Sequence, residues 1–346
     1  MSYVPRFFPG GAFLLFRIPV KSYNTKNGRI FFTHMNINKI YHWAVTGGAG
    51  FIGSHLVREL VRQNQQVTVF DNFSSSSPSL LADVTDTIRM VKGDVRDCAA
   101  LTHAFEGADF VLHHAALVSV PKSVENPEET SQINIQGTAN VLEAARVCGV
   151  RRVVFASSSA VYGNGKDLPY KETAPADCQS PYALSKWNGE QLCRKYAQGG
   201  LETVILRYFN VFGPGQNPHS AYAAVITKFM NFARANEPFQ IDWDGLQSRD
   251  FIHVSDVVQA NLLAALHGVP GEIYNVASGK TCSLLELADA VERVSGRKLE
   301  RVFRPKRAGD VRFSSADISK IRALGFVPAV TLEAGLRALW QQFRPQ

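Results

Sequence analysis

A short apolar run at residues 40–46 leads into Thr46-Gly47-Gly48-Ala49-Gly50-Phe51-Ile52-Gly53, and residues 54–63 behind it carry helical periodicity. Gly47, Gly50 and Gly53 thus give G-x-x-G-x-x-G between a strand and a helix. Glycines there permit a tight turn, a close backbone approach to a pyrophosphate and close packing of helix on sheet. The helix N-terminus adds unpaired N–H groups and the positive end of its dipole. Residues 66–70 read as a second strand that delivers Asp71 to its end. A carboxylate at that distance can hold an adenosine ribose diol. Asn72 and four serines follow, so a turn or cap is the alternative role. The carboxylate would repel a 2′-phosphate, which favours NAD over NADP.

The alternation continues. Residues 88–92, 109–113, 153–156 and 202–206 read as further strands, and residues 128–148 as one long helix carrying Asn134 and Gly137. Strands alternating with helices predict an α/β fold, a Rossmann-type doubly wound parallel sheet. Its strand ends would line one crevice with the glycines, Asp71, Ala115 and Ser158. His113 and His114 together raise the possibility of a metal, with packing as the plainer role for one of them. Beyond residue 207 the elements are shorter and alternate less regularly, which predicts a smaller mixed α/β substrate-binding subdomain. The expected divisions are an extension at 1–38, a dinucleotide-binding domain at 39–206 and the subdomain at 207–346, with segments returning to the first domain.

Charge narrows the possible partners. The net charge is +7, but residues 1–41 hold six Lys or Arg and no Asp or Glu, which leaves about +1 for the rest (7 − 6). The body of the chain is therefore not a polyanion binder, and no nucleic-acid partner is expected. The apolar run at 12–16 is too short to span a bilayer, and Arg17 interrupts it, so no membrane association is expected. The N-terminal segment faintly resembles a transit peptide. It reads more simply as an extension outside the fold, or as the product of a start upstream of Met35. The five cysteines are scattered with no CxxC pair, so neither a zinc site nor a disulfide framework is expected, and the cytoplasm is the default compartment.

Ser180-Pro181-Tyr182-Ala183-Leu184-Ser185-Lys186 starts a helix: Ser180 suits the N-cap and Pro181 the first turn. Tyr182 and Lys186 then share one face. An ammonium beside a phenol stabilises the phenolate, so a lowered Tyr182 pKa is expected. Alone, such a pair is usually a surface contact, and only its company with the other motifs changes that. The serines 157–159, following the strand at 153–156, supply hydroxyls nearby.

The motifs TGGAGFIG, HHAA, SSSAVYG and SPYALSK, in this order, resemble the extended short-chain dehydrogenase/reductase family, in its branch of NAD-dependent nucleotide-sugar epimerases and dehydratases. The resemblance covers roughly residues 40–343. It implies Tyr182 as base and acid, Lys186 as its electrostatic partner and Ser158 as the hydroxyl bonded to the reacting oxygen. Ser158 is preferred over Ser157 and Ser159 because it lies four residues before Tyr162. The resemblance also implies NAD contacts at Gly47, Gly50, Phe51, Ile52, Gly53, Asp71, Asn72, Asp94, Val95, Ala115, Ala116, Asn134, Tyr182, Lys186 and Tyr208. For a UDP-sugar it implies Ser158, Tyr182, Asn210, Arg249 and Arg307, with Asp310 near the nucleoside ribose. Arg matches phosphate oxygens bidentately, although Arg304, Lys306 and Arg307 could also be a solvated basic loop. No metal is implied, and a homodimer is the family habit.

The stretch 207–229 is most similar to bacterial UDP-N-acetylglucosamine 4-epimerases. Ser314 stands four residues after Asp310, where epimerases restricted to UDP-galactose carry Tyr, so room for an N-acetyl group is expected. A 4,6-dehydratase would need acids where Ser159 and Ala160 stand. A uronate decarboxylase or epimerase would need a cation for the C6 carboxylate, and no residue obviously offers one. A non-catalytic NAD-binding regulator is disfavoured because Ser158, Tyr182 and Lys186 are all present.

Overall fold

The computed structural model describes residues 37–165, 167–216, 225–306 and 311–343. The first elements are β1 (His42–Thr46), α1 (Phe51–Arg62), β2 (Gln66–Asp71), β3 (Arg89–Lys92), α2 (Cys98–Phe105) and β4 (Phe110–His113). Then come α3 (Val120–Glu125), α4 (Pro127–Ser131), α5 (Gly137–Val147), β5 (Arg152–Ser158), α6 (Pro181–Gln198) and β6 (Glu202–Tyr208). The second half adds β7 (Asn210–Phe212), α7 (Val225–Ala235), β8 (Phe239–Asp242), β9 (Ser248–His253), α8 (Val254–His267) and β10 (Ile273–Val276). It closes with β11 (Thr281–Ser283), α9 (Leu284–Ser295), β12 (Arg301–Arg304), α10 (Ser319–Arg322) and α11 (Leu332–Phe343).

Seven strands form one parallel sheet in the order β10-β6-β5-β4-β1-β2-β3. Alternation within a strand divides its side chains between two cores. Trp43 and Val45 face a cluster holding Leu56, Val57 and Leu60 of α1 and Val257 and Leu262 of α8. Ala44, between them, faces Leu101 and Phe105 of α2 and Val141 and Leu142 of α5. Helices therefore cover both faces, as the near-continuous apolar strands require. The order reverses between β4 and β1, which opens the crevice at the strands' C-terminal ends.

Three elements from beyond residue 207 belong to this body, among them α10, which packs on β10 and buries Ile321 in the first cluster. Strand β10 pairs with β6 at the sheet edge, and α8 packs against α1. The rest forms a third core, in which Phe212, Phe229, Met230, Phe239, Leu287, Val291, Leu336 and Trp340 meet. It is roofed by a three-stranded sheet, β11-β9-β7, and the parallel pair β12-β8.

The long helix expected over 128–148 is not one regular α-helix. Helix α4 widens into a π turn at Gln132–Gln136 before α5 resumes. A π turn holds an extra residue, and such turns cluster at functional sites. Here the turn carries Asn134.

Candidate active site

The turn from β1 to α1 is built around glycine. Gly47 has φ +67°, and a Cβ on it would lie 2.7 Å from the Ala115 nitrogen. A Cβ on Gly53 would lie 2.1 Å from the Gly47 carbonyl oxygen, so α1 presses directly on the turn. Gly50 caps α1 without a side chain, and no acid sits in the first turn, which leaves the N–H groups around Phe51 and Ile52 open to an anion. Ala115 donates its N–H to Thr46 Oγ1 at 3.3 Å, which holds the strand end with Ala116 beside the turn.

At the end of β2 the buried Asp71 accepts the Ala49 N–H at 3.0 Å through Oδ2. Its Oδ1 accepts the Phe73 N–H at 2.8 Å and the Ser76 hydroxyl at 3.0 Å. Asp71 thus ties the glycine turn to the loop that follows it, at the place a ribose diol would reach. Asn72 donates to Asp94 Oδ2 at 3.0 Å. Arg96 forks onto the same carboxylate with two bonds of 2.8 Å and holds it well below the usual carboxylate range. Arg96 was not among the expected residues, although it bonds Asp94 only two positions before it; the β2–β3 pairing brings this loop to Asn72. Val95 is buried beneath Gly137, whose Cβ would meet Val95 Cγ2 at 2.5 Å. The open helix terminus, the glycine cradle and the carboxylate at the second strand end fit a dinucleotide.

The histidine pair has an interior role. His113 is buried between Thr46 Oγ1, 2.7 Å from Nδ1, and Thr138 Oγ1, 3.0 Å from Nε2. His114 reaches the Tyr208 hydroxyl at 3.0 Å, and Tyr208 donates to Asn261 Oδ1 at 2.9 Å. The Tyr208 hydroxyl is therefore engaged inside the fold. Desolvation lowers the pKa of both histidines, which keeps the rings neutral. Among the described residues no group of three or more His, Cys, Asp and Glu side chains could hold a metal ion.

Ser158 and Tyr182 come together where β5 packs on α6. Ser180 caps α6 by accepting the Ala183 N–H at 3.1 Å, with Pro181 in the first turn. The Tyr182 N–H donates to Ser123 Oγ at 3.1 Å. Ser158 at the end of β5 lies close enough to the Tyr182 hydroxyl to favour its ionised form. It also accepts the Ala160 N–H at 3.1 Å. Ser157 points the other way, donating to Glu190 Oε1 at 2.5 Å. Lys186 is buried, donates from Nζ to the Ala156 carbonyl oxygen at 2.9 Å and stands 6.0 Å from the Tyr182 ring centroid.

The expected lowering of the Tyr182 pKa is overturned. Desolvation raises it, and the nearby Ser158 hydroxyl only partly opposes the rise. The helical spacing brings the two side chains together, but the Lys186 ammonium is drawn to a strand carbonyl instead of the phenol. Burial in turn lowers the Lys186 pKa to about 8. Asn134 accepts the Leu117 N–H at 2.8 Å and donates to the Leu117 carbonyl oxygen and to Ser185 Oγ, both at 2.9 Å. The π turn thereby joins the loop after β4 to the helix carrying Tyr182.

Beyond β6, Asn210, Lys228, Asp242, Gln247, Arg249 and Arg304 line a cleft of about 420 Å³ together with Phe229. Asn210 donates to the Asp250 carbonyl oxygen at 2.9 Å, and Arg249 to that of Ser248 at 2.9 Å. Three cations against the single carboxylate of Asp242 leave the cleft positive, which suits a polyanionic ligand. Lys228 and Gln247 escaped the sequence reading because lone polar residues in mixed stretches carry no motif. Ser314 is buried beside β9, its N–H donating to the Ser248 carbonyl oxygen at 3.1 Å. Arg307 and Asp310 lie outside the described residues.

Residues 43–277 match the NAD dependent epimerase/dehydratase family. The chain belongs to this family, and its cofactor is NAD. It is 38% identical over 296 residues to a putative UDP-glucose 4-epimerase of Methanocaldococcus jannaschii, covering 85% of this chain and 95% of that one. It is 35% identical over 314 residues to a UDP-N-acetyl-alpha-D-glucosaminuronate decarboxylase of Bacillus cytotoxicus, covering 87% and 97%. Its fold matches the structure of UDP-N-acetylglucosamine 4-epimerase from Methanobrevibacter ruminantium M1 in complex with UDP-N-acetylmuramic acid. There the TM-score is 0.85 and the identity 38%, over 88% of this chain and 98% of that one. The resemblance read from the glycine turn and the Tyr182–Lys186 helix is thus the family to which the chain belongs.

Proposed function

We propose that this enzyme epimerises C4 of UDP-sugars, with UDP-N-acetylglucosamine and UDP-N-acetylgalactosamine as its main pair and the unmodified hexoses as further substrates. The observation that carries the reading is the placement of Ser158 beside the Tyr182 hydroxyl, with buried Lys186 one helical turn away. When bound, NAD⁺ supplies a reversible acceptor for the hydrogen on the sugar C4. Tyr182 takes the proton of the 4′-hydroxyl, while Ser158 holds the same oxygen. Lys186 supplies positive charge beneath the phenolate as it forms. The 4-keto sugar turns about its diphosphate link, and Tyr182 reprotonates the oxygen after hydrogen returns to the other face. Asn210 and Arg249 grip the diphosphate through the turn, and the small Ser314 leaves room for the N-acetyl group. By the resemblance, Arg307 and Asp310 complete the grip.

The test is proton NMR of products from UDP-N-acetylglucosamine and, separately, UDP-glucose, with no nucleotide added. Formation of UDP-N-acetylgalactosamine supports the reading. If neither sugar changes even with NAD⁺ supplied, the reading fails. Loss of carbon dioxide from the N-acetylated uronate would instead put the chain with its decarboxylase relative. A Ser314→Tyr variant should lose the N-acetylated sugar selectively.

The expected homodimer is part of this proposal. Helices α3 and α6 lie together and leave Val120, Val124 and Leu184 exposed, and light scattering reads the mass directly. No helix among the described residues is long and apolar enough to cross a membrane. The cytoplasm remains the proposed compartment.

A further inference from the structure

Behind the reacting hydroxyls lies a buried ion pair that the mechanism does not use. Glu190 is 0% exposed and Arg207 3%. Arg207 forks onto the carboxylate, Nε to Oε1 at 2.8 Å and one terminal nitrogen to Oε2 at 2.7 Å. Glu190 lies on α6 four residues beyond Lys186 and eight beyond Tyr182. Its Oε1 also accepts the Ser157 hydroxyl.

In the β5–β6 register Ser157 stands opposite Arg207, and Ser158 opposite Tyr208. The Arg207 guanidinium lies 4.6 Å from the ring centroid of Tyr162, and the Tyr162 hydroxyl donates to Asn275 Oδ1 at 2.6 Å. The short segment carrying Ser158 is therefore held on both sides of that residue: by Glu190 at Ser157 and by Arg207 and Asn275 at Tyr162. The helix carrying Tyr182 is held by the same carboxylate. A fully buried pair is a poor source of stability, because desolvation of both charges offsets their attraction, and apolar residues of like volume often serve as well. What it supplies instead is fixed direction, since a bidentate fork has one geometry.

We infer that Ser157, Glu190 and Arg207 are positioning residues that set Ser158 against Tyr182 for the reaction. The inference rests on the epimerase reading above. A misplacement of about 1 Å can lower turnover about 100-fold without weakening substrate binding.

The parent enzyme is first assayed for interconversion of the UDP-sugar pair, and a failure there counts against the proposed function alone. Ser157→Ala then removes the link while leaving the ion pair intact. The expected result is a kcat lower by roughly 10- to 100-fold, a KM within about two-fold of the parent, and unchanged Tm and NAD content. A kcat equal to the parent's, or a loss confined to KM, overturns the inference. The double variant Glu190→Met/Arg207→Met separates positioning from stability. If the pair serves only to hold the fold, well-packed methionines restore Tm and turnover together. The inference requires Tm near that of the parent with kcat still reduced, and a folded double variant with full turnover overturns it.

Discussion

Tyr182 begins with a handicap, because desolvation makes its hydroxyl harder to ionise than a free phenol. Its proposed use as a base therefore depends on Ser158 and on the Lys186 charge. Replacing it by Phe removes the proton carrier and leaves the ring's packing. A Tyr182→Phe variant should lose roughly 10²–10⁴-fold in kcat at unchanged fold, read by the same NMR assay with circular dichroism as control. Lys186 sets a second expectation. It loses its proton as pH rises through about 8, against 10.5 for the free side chain. The kcat/KM for the sugar should fall on the alkaline side with a midpoint near that value, and a kcat/KM profile flat up to about pH 10 would count against its role. Stability moves the other way: between about 8 and 10.5 the unfolded chain holds the extra proton, so the Lys186 contribution to stability rises with pH over that window. The Tyr182–Lys186 spacing was legible in the sequence, since a helix fixes which Cβ atoms are neighbours. The direction of the pKa shift was not, because the end of a long side chain goes where a tertiary acceptor lies, here the Ala156 carbonyl. For the same reason the Ser157–Glu190–Arg207 link was invisible until β5, β6 and α6 were packed.

At the scale of elements, the β1–α1 turn is the most demanding. A methyl group at position 53 would sit 2.1 Å from the Gly47 carbonyl oxygen, which is backbone and cannot swing away. Gly53→Ala should push α1 off the turn. We expect NAD to be missing from the purified protein, measured by nucleotide release, and a stability loss of about 1–3 kcal/mol by urea unfolding. Strands and capped helices were legible where local chemistry decides them. Strands β2, β4 and β6 fall on the runs read as strands, Ser180 caps α6 as its position suggested, and Ser283 and Glu286 form a reciprocal cap at the start of α9. The π turn was not legible, because Asn134 and its neighbours keep an ordinary helical pattern and the extra residue shows only in the hydrogen-bond ladder.

For the whole molecule, the two halves of the chain cannot be separated at the point where the sequence changes character. Strand β10 covers the edge of β6, and α8 covers α1 and the apolar face beneath it. A chain ending at residue 216 would expose both. It should show no cooperative thermal transition and should aggregate, whereas the full chain unfolds cooperatively; a sharp transition in the shortened chain would contradict this. The shift in pattern near residue 207 marks the change from sheet-building to cleft-building segments. It could not show which later segments return, since a single edge strand such as β10 looks the same wherever it pairs.

The π turn also says something about how this chain can change. One surplus residue there turns everything before it by about 100° relative to everything after. A single-residue deletion within Gln132–Gln136 would leave a more regular and locally more comfortable helix. It would also carry Asn134 away from Leu117 and Ser185, freeing the loop after β4 from the helix that bears Tyr182. The easiest local improvement to this helix is therefore one that lineages retaining the reaction should not accumulate, and length within this turn should be held more strictly than the identity of its exposed residues.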